Sequence, residues 1–257
     1  VKMFRNLPHL RFTGRIHEQI LPAIRRSGGD TAWTDLFVVH SGYDHSPEGQ
    51  ERKKQRDLHL LHLELHEQPS HPFTLFNLGM TYADVGEHDK AVDFLQRSIR
   101  WSGAGESHLR KAYSLLVHSL AQAGRLGEAW ETCERGSGLF PEDVELRFRR
   151  AILLHDRGRL PEAVQAYQQV LGAHGERYFS SMDRGIQGFK ARQNLAIVYT
   201  DMGDWQHAEQ EWRRVVAEAP RYRPGWRGLG DALLRQAKVR EALSLIHISE
   251  PTRQAEI

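Results

Sequence analysis

The chain has 257 residues, 40% of them hydrophobic and 26% charged, with a formal net charge of +2 and a single cysteine. That length allows one or two domains with a proper core. The near-neutral balance gives no global reason to expect nucleic acid or an anionic membrane as partner, one cysteine excludes an intrachain disulfide, and no apolar run approaches the ~20 residues that span a bilayer.

In chain order, Leu10 to His17 (LRFTGRIH) alternates apolar and polar residues as a half-buried strand does. Glu18 to Arg26 is predicted to form a short helix despite Pro22, stopped by Gly28 and Gly29, and Leu36 to His40 (LFVVH) reads as a second strand. Two short strands and one helix bury too little to fold alone. Residues 1–45 are therefore expected to be the remnant of a larger α/β domain.

The stretches MFRN, LRFTGRIHEQI and FVVHSGY resemble the end of the catalytic domain in family 2 glycosyltransferases, in members where helical repeats follow. The resemblance implies a nucleotide-sugar and a divalent cation in a full-length parent, bound by an α/β domain upstream of Val1. It also implies roles for three residues here. His17 would face the cation or diphosphate and serve on the metal side. His40 would lie on that same cofactor side, and Glu18 would be the catalytic carboxylate, orienting His17 or contacting the acceptor. The plainer alternative makes His17 and His40 strand-end residues bonded to backbone. No phosphate-cradling glycine loop or paired-aspartate motif occurs in the first 45 residues. By itself, then, this stretch of sequence is expected to hold no cofactor and to be inactive.

Pro47 to Gln68 reads as a charged, leucine-rich helix within a linking and capping segment, 46–71. His59, His62 and His66 share one of its faces. A solvated or packing face is expected rather than zinc, because no second Cys or His cluster is spaced to complete a site.

From Phe73 to Leu95 the pattern is that of a helical hairpin: Leu75, Leu78, Gly79 and Tyr82 at helical spacing, a break at Gly86, then Ala91 and Leu95 inside a second helix. Such a hairpin cannot bury its apolar face alone and must recur. The small residue returns at Ala129, Ala163, Ala208 and Ala242, with steps of 34 residues from Ala129 to Ala163 and from Ala208 to Ala242. Gly124, Gly158 and Gly203 repeat the turn, and in the fifth hairpin the turn is predicted at Lys238. The spacing resembles the tetratricopeptide repeat. The expected fold is mostly α: a superhelix of about five hairpins over 72–242, preceded by the small α/β remnant.

Two steps are longer than the repeat. Trp101 to Glu106 absorbs one as a loop. The other insertion, Gly172 to Gly185, carries Tyr178, Phe179 and Met182, which are expected to pack at a hairpin junction more than to bind partners. Cys133 occupies a core position and is read as inert.

First helices line the concave face of such a superhelix. The inward offsets give Phe73, Phe76 and Met80 in the first hairpin, then Lys111 and His118, with Ser114 between them. Phe148 and His155 follow, then Lys190, Gln193 and Asn194. The expected partner is a protein or peptide on that surface. No nucleic acid is expected there, although Tyr222, Arg223, Trp226 and Arg227 interleave aromatic and basic residues. No membrane is expected either, and the localisation is expected to be cytoplasmic. Phe76 and Phe148 stand where a clamp for a terminal carboxylate would need lysine. Leu243 to Ile257 (LSLIHISEPTRQAEI) resembles translated sequencing adapter, so 243–257 is expected to be an adapter-derived tail. The function expected of the parent is glycosyl transfer with repeats presenting the acceptor. The alternative is a non-catalytic interaction scaffold.

Overall fold

Proline, a capping side chain and a left-handed turn residue mark most helix boundaries of this chain. A computed structural model describes residues 3–32, 46–173 and 183–249. They form twelve α-helices: α1 (Leu21–Arg26), α2 (Pro47–Glu67), α3 (Pro72–Asp84), α4 (His88–Trp101), α5 (Leu109–Gln122), α6 (Leu126–Leu139), α7 (Val144–Asp156), α8 (Leu160–Gly172), α9 (Phe189–Asp201), α10 (Trp205–Glu218), α11 (Arg223–Arg235) and α12 (Val239–Ser249). A 3-10 turn, Arg184–Gln187, precedes α9. The chain divides into two compact units, Val1–Gly103 and Ala104–Ile257.

Five hairpins are present: α3 with α4 in the first unit, and α5 with α6, α7 with α8, α9 with α10 and α11 with α12 in the second. The recurring small residues sit where the helices of each hairpin meet. Ala91, Ala129, Ala163 and Ala208 are fully buried, and Ala242 nearly so. Gly79 lies so close to α4 that an added Cβ would stand 2.5 Å from Leu95 Cγ.

The turns between paired helices use one left-handed residue each, at Gly86, Gly124, Gly158 and Gly203. In the fifth hairpin that residue is Ala237 (φ 59°), one position before the Lys238 expected from the sequence. The backbone demand is the same in all five turns, and here an alanine meets it at a strain of about 1–2 kcal/mol.

In the second unit successive hairpins bury one another. Val144, Phe148, Ala151 and Leu154 of α7 cluster with Ala163, Tyr167 and Val170 of α8 and with Ala191 and Leu195 of α9. A second cluster joins Ala196 to Trp212, Val215, Leu229, Leu233 and Ala242. Cys133 is fully buried, its Sγ 3.8 Å from the Leu146 carbonyl. Burial pushes its thiol up to about 11, which makes it inert at neutral pH.

In the first unit the strand expected over Leu10 to His17 is not formed. Gly14 (φ 97°) and His17 (φ 54°) both turn the chain, and an isolated antiparallel bridge joins Thr13 to Gln19. The alternation of residue types is real, but the left-handed residues fold the segment back on itself. It is held against α2, with the Arg15 N–H donating to Glu64 Oε2 at 3.2 Å and an Arg15–Glu67 ion pair. The helix expected from Glu18 begins at Leu21, because Gln19 is taken by the bridge, and Pro22 falls in its first turn, where it is tolerated. Ile20, Leu10 and Ala23 form a small core there.

Leu36 to His40, the aromatics of the Gly172–Gly185 insertion and residues 250–257 lie outside the described residues. Among the described residues there is no β-strand, and no helix is long and apolar enough to cross a membrane.

The small residues and the turn residues can each be tested by stability. Ala129→Leu should overpack α6 against α5, where Leu116 is also buried, and cost about 1–3 kcal/mol; an unchanged melting temperature would contradict the register. Gly158→Ala should destabilise by about 1 kcal/mol and Ala237→Gly should stabilise by a similar amount, since only the left-handed strain changes. Urea unfolding of both variants checks that opposition of sign.

Candidate functional site

The first helices of the second unit carry a chain of polar side chains. At its start Asp143 accepts the Leu146 N–H at 2.7 Å, capping α7, and also pairs with Arg110 of α5. Glu145 pairs with Lys111 of α5 and lies 3.4 Å from Arg110. Arg110, Asp143 and Glu145 are all buried. Unpaired charges at such burial cost several kcal/mol each, so the two acids and two bases hold only as a set.

One turn along, Nη1 of Arg149 on α7 lies 3.4 Å from Nδ1 of His118 on α5. At the far end His155 Nε2 of α7 sits 2.6 Å from Asp201 Oδ2 of α9. Asp183 caps the 3-10 turn by accepting the Gly185 N–H and pairs with Lys190 at the start of α9. Burial works against its charge, but Lys190 and the Gly185 N–H together hold the Asp183 carboxyl below its usual range. Asn194 bonds the Tyr167 hydroxyl, which burial pushes well above its ordinary value. Gln193 accepts the Tyr222 hydroxyl proton.

Among the residues expected on a partner surface, Lys111, His118, His155, Lys190, Gln193 and Asn194 are thus half-buried and drawn together along α5, α7 and α9. Phe148 is not with them: it is buried and packs edge-on against Tyr167, with ring centroids 5.9 Å apart. Its neighbour Arg149, which no pattern in the sequence singles out, is half-buried and reaches His118 on α5. In the first unit Phe76 is likewise buried, stacked with the half-buried Phe73 at 5.9 Å, and Met80 is half-buried.

The glycosyltransferase-derived positions belong to the first unit. His17 is half-buried in its turn, and burial lowers its pKa while the nearby Asp57 carboxylate opposes that. Its carbonyl accepts from Gln19 Nε2 at 2.8 Å. Glu18 is exposed. His40 lies outside the described residues. His62 of α2 is a packing residue, 2.8 Å from the Tyr82 hydroxyl and edge-on to Phe94. Among the described residues no group of three or more His, Cys, Asp or Glu is placed to hold a metal.

Paired helices of near-constant length, closed by a left-handed turn and stacked through a small residue, define a helical-repeat protein. Two family models described as the tetratricopeptide repeat match, one over 114–177 and 194–246, the other over 74–104, together more than half of the sequence. The chain belongs to the tetratricopeptide-repeat family.

Among curated proteins, the SPbeta prophage-derived glycosyltransferase SunS of Bacillus subtilis (strain 168) is 27% identical over 158 residues, 60% of this chain. The glycosyltransferase SunS of Bacillus phage SPbeta matches to the same extent. The chain spans 37% of the length of these relatives. Among solved structures, the APC/C hetero-tetramer Cut9-Hcn1 is similar over 80% of this chain and 38% of that one, with a TM-score of 0.65 and 16% identity. BtubC from P. vanneervenii is similar over 83% of this chain and 98% of its own, with a TM-score of 0.60 and 16% identity. YrrB, described as a TPR protein with an unusual peptide-binding site, covers 74% of this chain and 90% of its own, with a TM-score of 0.51 and 14% identity. At these identities the likeness is one of fold.

The buried set at the start of α7 is testable. Asp143→Ala removes both the α7 cap and the counter-charge of Arg110, and should cost about 3–5 kcal/mol. Glu128→Ala, which removes the exposed partner of Arg125, should scarcely move the same urea transition.

Proposed function

We propose that the second unit is a peptide-binding module, taking a segment of another protein along the inward sides of α5, α7 and α9. The observation that carries this is the row of half-buried polar side chains, Lys111, His118, Arg149, His155, Lys190 and Asn194, contributed by three successive first helices. Half-buried donors held by ion pairs and packing are already ordered, so a ligand meets them at reduced entropic cost. YrrB, which shares this fold, has a peptide-binding site, and that supports the assignment.

Selection from a random peptide library against the whole chain tests it. Selected peptides should lose at least about tenfold in affinity, measured by fluorescence anisotropy, against the double variant His155→Ala with Lys190→Glu, a loss of the size seen when interface contacts of more than 1 kcal/mol are removed. Peptides that bind both proteins equally would place recognition elsewhere.

A second function is supported by the match to SunS: the chain is part of a glycosyltransferase whose acceptor the repeats hold. In that case His17 and Glu18 serve the transfer reaction, and a divalent cation and nucleotide-sugar belong to the complete enzyme. The two functions part on one measurement. Sugar addition to groove-selected peptides by the protein as its genome encodes it, read by mass spectrometry across a panel of nucleotide-sugars, supports the transferase. No addition with any donor leaves the binding module.

A further inference from the structure

Arg149 differs from its charged neighbours. Arg110, Lys111, Arg147, Arg150, Lys190 and Arg192 each pair with a carboxylate within 4 Å. Arg149 makes no such pair among the described residues, and its Nε is buried with no hydrogen-bond partner. Its contact with His118 Nδ1 is long, at 3.4 Å, and is not made to a carboxylate. Burial pulls its pKa down, with Glu145 nearby as the largest opposing influence. Buried charges in folded proteins are paired, and leaving one unmatched costs more than any neutral hydrogen bond returns. A guanidinium in that condition, half-buried on the middle of the three first helices, is suited to pair with an anion brought by a ligand.

The local charges decide which anion. Arg110, Lys111, Arg149 and Lys190 face Asp143, Glu145 and Asp183, four cations against three carboxylates, so the cluster has one positive charge in excess. That excess suits a monoanion. A phosphate dianion would overfill it and meet Glu145 and Asp183. A planar carboxylate also matches the guanidinium fork. Position selects the carrier. Arg149 lies between Lys111 and His118 on one side and His155, Asn194 and Lys190 on the other, so a peptide following the groove runs on past it in both directions. A side chain in mid-peptide fits this place better than a chain end.

We propose that Arg149 receives the side-chain carboxylate of an aspartate or glutamate within the bound segment, making this an acidic-peptide site. The proposal rests on the peptide-binding function above and specifies its ligand.

The test is a cycle of four affinities. Peptides selected from a random twelve-residue library are remade with each internal Glu or Asp changed to Gln or Asn, and each is measured against the native chain and against Arg149→Met. One internal change should cost tenfold or more on the native chain and less than twofold on Arg149→Met. Equal losses on both proteins, selected peptides without an internal acid, loss of binding on amidation of the peptide's carboxyl end, or tighter binding of a phosphoserine version would each overturn the proposal. If such peptides bind but still depend on His155 and Lys190, the groove stands and only the seat for an acid falls. If no peptide binds at all, both fall. Thermal melting of the free proteins gives an independent readout. Arg149→Met, which replaces an unmatched charge by an apolar chain of similar length, should raise the melting temperature, whereas Arg110→Met should lower it. A fall in both would show that Arg149 is already satisfied and would overturn the proposal.

Discussion

Everything in the repeats depends on the contact between the two helices of a hairpin at a residue too small to hold them apart. Ala91, Ala129, Ala163 and Ala208 have no exposed surface, and Gly79 admits Leu95 to a place where a methyl group would clash. Close approach fixes the angle and spacing of each pair, and a left-handed turn residue is then enough to join them. The remaining apolar face of each pair has nowhere to go but onto the next, which is why Phe148, Tyr167 and Leu195, from three different helices, share one cluster. The spacing of α5, α7 and α9, and with it the spacing of the polar groups they present, is set from behind by this packing.

The hairpins were legible because a periodic demand leaves a periodic trace. One small residue and one turn residue recur through the chain, and five repetitions outweigh any local ambiguity. A single segment has no such redundancy. Leu10 to His17 carries the alternation of a strand, but alternation says nothing of a partner, and a histidine, though it takes up left-handed backbone more readily than most residues, does not announce it as a glycine does. At the fifth turn the residue type is silent but the register is not: the turn residue lies five places before the small residue in every hairpin, and five before Ala242 is Ala237, not Lys238. The burial of Phe148 was hidden for another reason: Tyr167 gives it an edge-on partner on α8, and no pattern within α7 itself contains that contact.

The charged residues of the second unit fall into two kinds. Pairs such as Arg125 with Glu128 and Arg159 with Glu162 lie on exposed turns, where solvent screens them and they add little. The set formed by Arg110, Lys111, Asp143 and Glu145 is different, because it bridges α5 to α7 with only Lys111 in partial contact with water. An apolar contact there would tolerate sliding by a fraction of a turn. Buried ion pairs do not, since any slip leaves a charge unmatched. The set therefore fixes the register of one first helix against the next, while Asp183 and Lys190 fix the start of α9. The half-buried His118, Arg149 and His155 project from helices whose relative positions are locked by the buried pairs and the packing behind them.

This separation explains how a fold can be shared at 14–16% identity with proteins of unrelated names. The demands of the fold fall on few positions in each hairpin: the small residue, the turn residue, and the core residue four places on, here Leu95, Cys133, Tyr167 and Trp212, all buried. None of these is a groove residue. Substitution at inward positions such as His118 and His155 can therefore proceed with little effect on the packing behind them, whereas Asn194, which bonds Tyr167, and Lys111, which pairs with Glu145, tie the two together. Fold likeness at such identity can support a mode of binding but carries no information about which ligand is chosen. What carries it is the charge left over when the structural pairs have been matched, and in this chain that remainder sits on α7 at Arg149.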